Sequence, residues 1–414
     1  MRFAPLSVEL IRAQPRLVFW LVVLGQAAVW FVLPVILYAS APGQLGETLG
    51  IGRDFPLVTP SGPPLAFWLA DIAFRLAGNH LFGLYLLSQA CFIVAFWSLF
   101  QLGRAIVGPP QSVLAILLTA AVTAFSFPLL EFGPDVLALP LWSLTLLNAW
   151  RVMGQDYRRS WIGLSLAAGL LLMTSHAAPL LLGLLAVFMA ATARGRQLLR
   201  TSDPWFALLL VVVLVFPYAL VVLRTSTDWA SAVAGLKDIQ TIWRQWPWLL
   251  ASALLALPGL LLVAAANSGW IEGRKGDAPL VARRPLASLA RPFVFTFAFV
   301  PVLLTSIASV ATQSPTLIGG AGLPLMLAGL AVVLISGDTI RLRSHAMVRG
   351  LWLLVMAAPV VFVLFMSLIQ PWVLGREVPT MLPASRMADF FADTYQRRTG
   401  QRLPAVAGDT ELAT

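Results

Sequence analysis

Apolar stretches of about 20 residues recur along this chain of 414 residues and alternate with shorter polar stretches. A helix of that length crosses a hydrocarbon layer about 30 Å thick. The pattern therefore predicts an all-α polytopic membrane protein with about 11 transmembrane helices. The predicted spans are residues 17–39, 81–102, 111–130, 136–150, 161–174, 178–193, 204–223, 247–267, 292–311, 320–337 and 350–374.

The connection between the first two predicted spans, residues 40–80, is unusually long. It contains Pro63-Pro64 and then an amphipathic stretch from Leu65 to Ala77. Asp71 and Arg75 stand four residues apart, so they can pair on the wet face of a helix. This composition predicts a helix that lies in the membrane interface rather than one that spans the membrane.

The chain divides into a membrane domain, residues 1–374, and a polar C-terminal segment, residues 375–414. Leu403 to Ala407 reads as a short strand, and it follows a helical pattern that ends near Gly400. The segment therefore predicts the start of a small external α/β domain. One lone strand and one helix do not form a stable core, so either the sequence is a fragment or the tail docks onto the membrane domain. The helical pattern is made by Met387, Phe390, Phe391 and Tyr395.

Composition excludes several classes of protein. Hydrophobic residues make up 59% of the chain and charged residues 11%, with a mean hydropathy of +0.85. Soluble domains carry about a quarter charged residues, so a cytosolic enzyme, a disordered protein and a nucleic-acid binder are excluded. The single cysteine, Cys91, lies within an apolar run and has no partner for a disulfide bond.

The net charge of +10 reflects topology. With a cytoplasmic N-terminus, 18 of the 28 basic residues fall in cytoplasmic segments, as the positive-inside rule requires. The C-terminal segment is then external. Ala39-Ser40-Ala41 resembles a signal-peptidase site, but the apolar run before it is longer than an ordinary signal sequence. We therefore expect the first span to be an uncleaved anchor.

The candidate chemistry lies at the predicted external face. No nucleotide-binding loop, hydrolase motif or metal-ligand spacing is present in the sequence, and no acid falls in the middle of a span. Carboxylates instead cluster at the external ends of spans, where one can serve as a general base. These acids are Glu47, Asp54, Glu131 and Asp135.

Structural interpretations of the same residues stay open. Asp135 follows Gly133-Pro134, where an acid favours the start of a helix. Glu47 and Asp54 fit solvated loop positions equally well. His176 lies between two short apolar runs, where a polar residue often marks a helix break.

Several motifs together resemble the bacterial branch of the family 39 glycosyltransferases, which are GT-C membrane enzymes related to protein O-mannosyltransferases and to the lipid A aminoarabinose transferase. They occur in order from Pro42 to about Leu182, and the tail from Ala384 is also similar. The motifs are Glu47 with Gly52-Arg53-Asp54, Pro63-Pro64-Leu65 with Trp68-Leu69, Leu86-Leu87-Ser88-Gln89, Leu102-Gly103-Arg104, Glu131-Phe132, Leu139-Pro140-Leu141-Trp142 and the run Gly163 to Thr174.

The resemblance implies sugar transfer from a polyprenyl-phosphate donor to a lipid, glycan or protein acceptor at the external face of the bacterial inner membrane. Glu47 is then the expected base, with Asp54 and Asp135 as further catalytic acids. Membrane lipids are further partners and nucleic acid is not one. No cofactor is predicted, although a divalent metal stays open. The implied substrate-binding residues are Arg53, Glu131, Trp68 and His176.

The sequence also departs from the family pattern. Gln44 occupies a position that is usually aspartate, and Ser61 and Gly62 stand where lysine or histidine usually precedes Pro-Pro-Leu. Ser175 and His176 replace a lysine near the end of the fifth span. These replacements leave two alternatives to an enzyme: a non-catalytic relative with a binding or scaffold role, and a flippase or transporter of lipid-linked sugars.

Overall fold

The protein is described by a computed structural model that is mostly helical. It covers residues 6–59, 61–127, 131–225, 239–268, 280–282, 285–337, 339–341, 345–370, 373, 380 and 384–402. The strand predicted at Leu403 to Ala407 lies outside the described residues.

The helices run in the following order along the chain. They are α1 Leu6–Ala13, α2 Pro15–Leu37, α3 Leu45–Gly52, α4 Leu65–Leu76, α5 Phe82–Ile106, α6 Pro109–Ala120, α7 Thr123–Ser126, α8 Pro134–Gln155, α9 Ser160–Leu172, α10 Ala178–Ala191, α11 Ala193–Leu199, α12 Asp203–Thr225, α13 Ile239–Leu255, α14 Pro258–Ser268, α15 Ala290–Ala311, α16 Ala328–Ile335, α17 His345–Leu368 and α18 Ala384–Thr399. Two short strands, β1 Leu280–Ala282 and β2 Thr339–Arg341, pair antiparallel.

Several of these helices begin where the sequence pre-forms their first turn. Pro15, Pro109 and Pro134 occupy the first helical positions of α2, α6 and α8. Proline is favoured there because its fixed φ suits a helix and its missing N–H would have no intrahelical partner.

The described residues contain six helices that are long and apolar enough to cross a membrane, or eight if each of two bent helix pairs forms one span. The bends are 102° between α10 and α11, and 51° between α13 and α14. The chain is therefore a multi-pass membrane protein, as predicted. The number of eleven spans stays a prediction, because α6, α9 and α16 have only 12, 13 and 8 residues.

Two predicted spans were wrong as continuous helices. In the stretch 111–130 the helix ends at Ala120, and of the following residues that the structure describes, 121–127, only the four of α7 are helical. In the stretch 320–337 the helix begins only at Ala328, after a series of turns. Gly319 and Gly320 have φ values of +81° and +74°, which a continuous helix does not allow.

The predicted helix is α4, which ends one residue earlier than predicted, and its position in the membrane interface stays a prediction. Asp71 and Arg75 form the expected ion pair at 2.7 Å. The prediction of a wet face was wrong for Asp71, whose side chain is buried while that of Arg75 is exposed. The aspartate lies inward because Ala66, Phe67 and Ala70 on the same helix also pack into the core.

The centre of the bundle is built around α5 and α8. Helix α5 packs against α2, α6 and α8, and α8 also packs against α9. Ser98 of α5 donates a hydrogen bond to Ser143 of α8. Small residues also bring helices close together: a Cβ at Gly329 of α16 would lie 2.2 Å from the carbonyl oxygen of Ala115 in α6. Close contacts of this kind replace hydrophobic burial as the source of helix association in lipid.

Candidate active site

The first long connection begins with a short helix that the sequence analysis missed. Helix α3 places Glu47 in its first turn, and Gln44 is its N-cap residue. The Glu47 carboxylate accepts a hydrogen bond of 2.8 Å from the hydroxyl of Ser61. Glu47 is half-buried, so it is neither a fully solvated loop residue nor a core residue.

Glu131, which precedes α8, forms a hydrogen bond to this connection. A carboxylate oxygen of Glu131 accepts a hydrogen bond of 3.1 Å from the backbone N–H of Gln44. The neighbouring Gly43 has φ +49°, and a Cβ there would lie 2.1 Å from Glu131 Oε1. Only glycine combines that backbone conformation with so close an approach. Burial, together with the negative charge of Glu131, raises the pKa of Tyr38.

Trp68 and Arg53 contribute to the same connection. The indole N–H of Trp68 donates a hydrogen bond of 2.9 Å to the carbonyl oxygen of Pro56. Arg53 and Asp54 form the turn that ends α3, and both are exposed. The carbonyl oxygen of Arg53 accepts a hydrogen bond of 3.4 Å from Arg75. The indole N–H of Trp68 is therefore bonded to the backbone of the first connection, whereas the side chains of Arg53 and Asp54 are exposed to solvent.

His176 lies in the turn between α9 and α10 and faces the first connection. A Cβ at Gly62 would lie 3.7 Å from its Nε2 atom. The backbone N–H of Leu65 also donates a hydrogen bond of 3.1 Å to the carbonyl oxygen of Met173. His176 retains an exposed surface, but partial desolvation by the surrounding protein lowers the pKa of its imidazole, which therefore favours the neutral form at neutral pH.

Asp135 lies in the first turn of α8 and lines a cavity of about 450 Å³. The N-cap residue of the helix is Gly133, which has no side chain to cap it, and Asp135 follows in the first turn. The opposite wall is the turn after α15, where a Cβ at Gly320 would lie 3.1 Å from the Asp135 carboxylate. Lining residues are Ser88, Gln89, Phe92, Thr123, Ala124, Phe127, Asp135, Val136, Leu139, Ser252, Leu255, Ala256, Gly319, Gly320, Ala321 and Gly322.

A series of close approaches connects the first connection to this cavity. Glu47 is bonded to Ser61, and the adjacent Gly62 faces His176. Ser175, next to His176, lies against Gly319, since a Cβ there would be 3.3 Å from the serine hydroxyl. Gly320 then approaches Asp135. Four segments that are distant in sequence therefore meet at one end of the bundle.

The turn at 318–322 and the contribution of α5 to the cavity are not predicted by the sequence pattern. The signal for the turn was Gly319-Gly320 followed by Gly322 and Pro324, which breaks a helical pattern. The α5 residues Ser88 and Gln89 belong to a motif of the family resemblance, but a serine and a glutamine in an apolar helix do not by themselves indicate a cavity. Among the residues that the structure describes, no three His, Cys, Asp or Glu side chains group to hold a metal ion.

Comparison with known proteins supports the sequence resemblance. Residues 61–220 match the family model described as dolichyl-phosphate-mannose-protein mannosyltransferase. A comparison with curated protein sequences finds no match. The fold is similar to that of ArnT from Cupriavidus metallidurans, solved with bound undecaprenyl phosphate, with a TM-score of 0.53 and 17% identity. The match covers 92% of this chain and 72% of that one.

The matched region holds α4, the cavity-lining part of α5, Asp135 and His176. The structural match covers 92% of this chain and therefore extends beyond that region. Together they confirm that this chain resembles the GT-C membrane glycosyltransferases.

Proposed function

We propose that this protein transfers a sugar from a polyprenyl-phosphate donor to a lipid, glycan or protein acceptor at the external face of the bacterial inner membrane. The observation that supports it best is the series of close approaches that links the segments of Glu47, His176 and Asp135. A carboxylate, an imidazole and an acid-lined cavity at a membrane boundary suit a lipid-borne substrate. The donor class follows from the family description and from the undecaprenyl phosphate in ArnT.

In the proposed reaction, an acceptor hydroxyl attacks the anomeric carbon of the donor sugar. The new glycosidic bond forms as the bond from that carbon to the phosphate oxygen breaks, and the polyprenyl phosphate leaves with the electron pair. The proton of the hydroxyl passes to Glu47, whose carboxylate also accepts the hydrogen bond from Ser61. Asp135 is the second acid and positions the reactants from the cavity wall.

Positive charge is needed where the leaving phosphate gains charge. Arg53 is exposed at the end of α3 and free to reach a lipid phosphate at the membrane boundary. His176 is neutral by itself, but an adjacent phosphate would raise its pKa and favour the protonated form. Glu131 and Trp68 serve this site by holding the backbone of the first connection rather than by contacting substrate.

The contacts between connections agree with the proposed orientation in the membrane, in which the N-terminus is cytoplasmic. The first connection contacts Glu131, His176 and Thr380, whose carbonyl oxygen accepts hydrogen bonds from Ala39 and Ser40. The strand pair joins two connections that the charge pattern assigns to the cytoplasm. A topology reporter fused after Arg284 should therefore read cytoplasmic, and one fused after Arg398 external. Swapped signals would place Glu47 in the cytoplasm and contradict the proposal.

The direct test is transfer from a labelled polyprenyl-phosphate sugar in membranes that contain the protein, with binding of the same carrier measured on purified protein. Transfer above that of membranes without the protein supports the enzyme. Carrier binding without sugar transfer from any carrier would favour the non-catalytic relative. Gln44, Ser61 and Gly62, which depart from the family pattern, would then be signs of a lost active site. Neither binding nor transfer would remove the proposed substrate class.

A further inference from the structure

Two residues of α5 that line the cavity beside Asp135 carry buried polar groups. Ser88 and Gln89 are 2% and 3% exposed, and both line the cavity. The hydroxyl oxygen of Ser88 and the amide oxygen of Gln89 have no hydrogen-bond partner in the structure. Buried polar atoms without partners are rare in proteins, because each loses its hydrogen bonds to water. These two atoms therefore point to a ligand that completes them.

The charges around the cavity restrict that ligand. Asp135 is the only ionisable side chain among the lining residues that the structure describes. A phosphate there would meet a like charge and find no lysine or arginine. Arg53 and His176, the candidate partners of a phosphate, are not among the lining residues. The cavity therefore favours a neutral group that both donates and accepts hydrogen bonds.

Shape agrees with this chemistry. A cavity of about 450 Å³ lies within the range of about 300–1,000 Å³ that is usual for small-molecule sites. Phe92 and Phe127 supply apolar walls, and Gly319, Gly320 and Gly322 leave room where side chains would intrude. A sugar ring has hydroxyl groups at its edge and C–H groups on its faces. It matches a wall that combines unpartnered polar atoms with aromatic rings.

We infer that Ser88 and Gln89 form a sugar-binding subsite that holds the ring of the donor while its phosphate stays outside the cavity. This inference rests on the proposed function, because it names the part of the same donor that enters the cavity. Gln89 accepts a hydrogen bond from one ring hydroxyl, and Ser88 exchanges one with another. The two residues select and position the sugar and take no part in proton transfer.

The test compares two carriers on purified full-length protein: undecaprenyl phosphate and undecaprenyl-phosphate hexose. The variants are Ser88→Ala and Gln89→Leu, with Gln89→Met as a second apolar replacement if the leucine variant does not fold. Gln101→Leu is the matched control, because Gln101 lies on the same helix, bonds to Arg104 and does not line the cavity.

We expect the parent protein and the control to bind the hexose carrier more tightly than the bare phosphate. In Ser88→Ala and Gln89→Leu this preference should fall about tenfold, the effect of losing one buried hydrogen bond. Binding of undecaprenyl phosphate should change by less than about twofold, since the phosphate lies elsewhere. The melting temperature without carrier should not fall, because both variants remove a polar atom that has no partner.

An unchanged preference in both variants would overturn the inference, as would a parent protein that does not distinguish the two carriers. An equal loss of affinity for both carriers would place the phosphate in the cavity and also overturn it. Failure of the proposed function is a different result: the preference would depend on Ser88 and Gln89 while no acceptor receives sugar.

Discussion

Helices α8 and α12 are nearly equal in length but occupy opposite environments. The spanning part of α12 has a mean hydropathy of 3.0 and none of it is buried, whereas that of α8 has a mean hydropathy of 1.3 and is 83% buried. In water the more apolar helix would form the core. In a bilayer, the lipid chains solvate the most apolar helix. Less apolar helices associate with one another through small residues and polar contacts.

The acids at the starts of these two helices show the same contrast. Asp203 in the first turn of α12 forms a two-point ion pair with Arg158, at 2.6 and 2.7 Å. Asp135 in the first turn of α8 lines a cavity and faces Gly320. Both acids sit beside a proline at a helix start, so the local sequence does not separate them. What separates them is whether the fold supplies a cationic partner.

The largest expected effect is at Glu47. Glu47→Gln keeps the volume and the bond to Ser61 but removes the proton acceptor, so transfer should fall by about two to four orders of magnitude. Carrier binding should change little, because the phosphate is held by other groups. Asp54→Asn is the matched variant of the exposed acid in the same connection. A larger loss in Asp54→Asn than in Glu47→Gln would reassign the base.

The contrast between α8 and α12 predicts the next effect. Asp135→Asn should lower transfer about a hundredfold, since it removes a charge that faces the reacting groups. Asp203→Asn removes an exposed ion pair, which contributes little to stability, and transfer should stay within about twofold. Initial rates on matched amounts of protein measure both. Equal effects of the two variants would show that Asp135 is not part of the site.

The contact between Gly43 and Glu131 predicts a smaller loss. Gly43→Ala adds a Cβ that overlaps the Glu131 carboxylate at a backbone conformation with positive φ. We expect about 1–3 kcal/mol less stability and about a tenfold loss of transfer as the first connection shifts. Gly50→Ala is the control, because it lies in α3 with no atom within 4 Å of a new Cβ. That variant should be stabilised by about 0.5–1 kcal/mol. Similar melting temperatures for Gly43→Ala and Gly50→Ala would contradict a close contact between Gly43 and Glu131.

The smallest effect concerns pH. Burial lowers the pKa of His176 below its ordinary value of 6.5, and a bound phosphate raises it. Binding then takes up protons, so affinity for the carrier should increase as the pH falls through the interval between the bound and free pKa values. The change should be about threefold to tenfold.

A phosphodiester-linked sugar carrier keeps a constant charge over this interval and is the ligand to use. His176→Gln should abolish the pH dependence. His80→Gln, which changes an exposed histidine between α4 and α5, should retain it. A pH dependence that survives in His176→Gln would exclude this residue as the phosphate partner.

The sequence predicted much of the architecture. Apolar stretches located the long helices, and the spacing of Asp71 and Arg75 predicted both α4 and its ion pair. Breaks inside apolar stretches were harder to predict. The turn at 318–322 lies in a run of apolar and small residues, so hydropathy alone merged it with α16. The same limit applied to α6, which ends at Ala120 without a polar signal.

By itself the sequence determined that this protein lies in a membrane, and it predicted the face at which its acids lie. Hydropathy and the placement of arginine report on the bilayer residue by residue, so neither depends on how helices pack. Only the tertiary structure decided which acids have partners. Glu131 binds the backbone at Gln44, Asp203 binds Arg158, and Asp135 faces a cavity together with Ser88 and Gln89. These contacts join residues 45 to 87 positions apart, and no local pattern in the chain encodes such pairings.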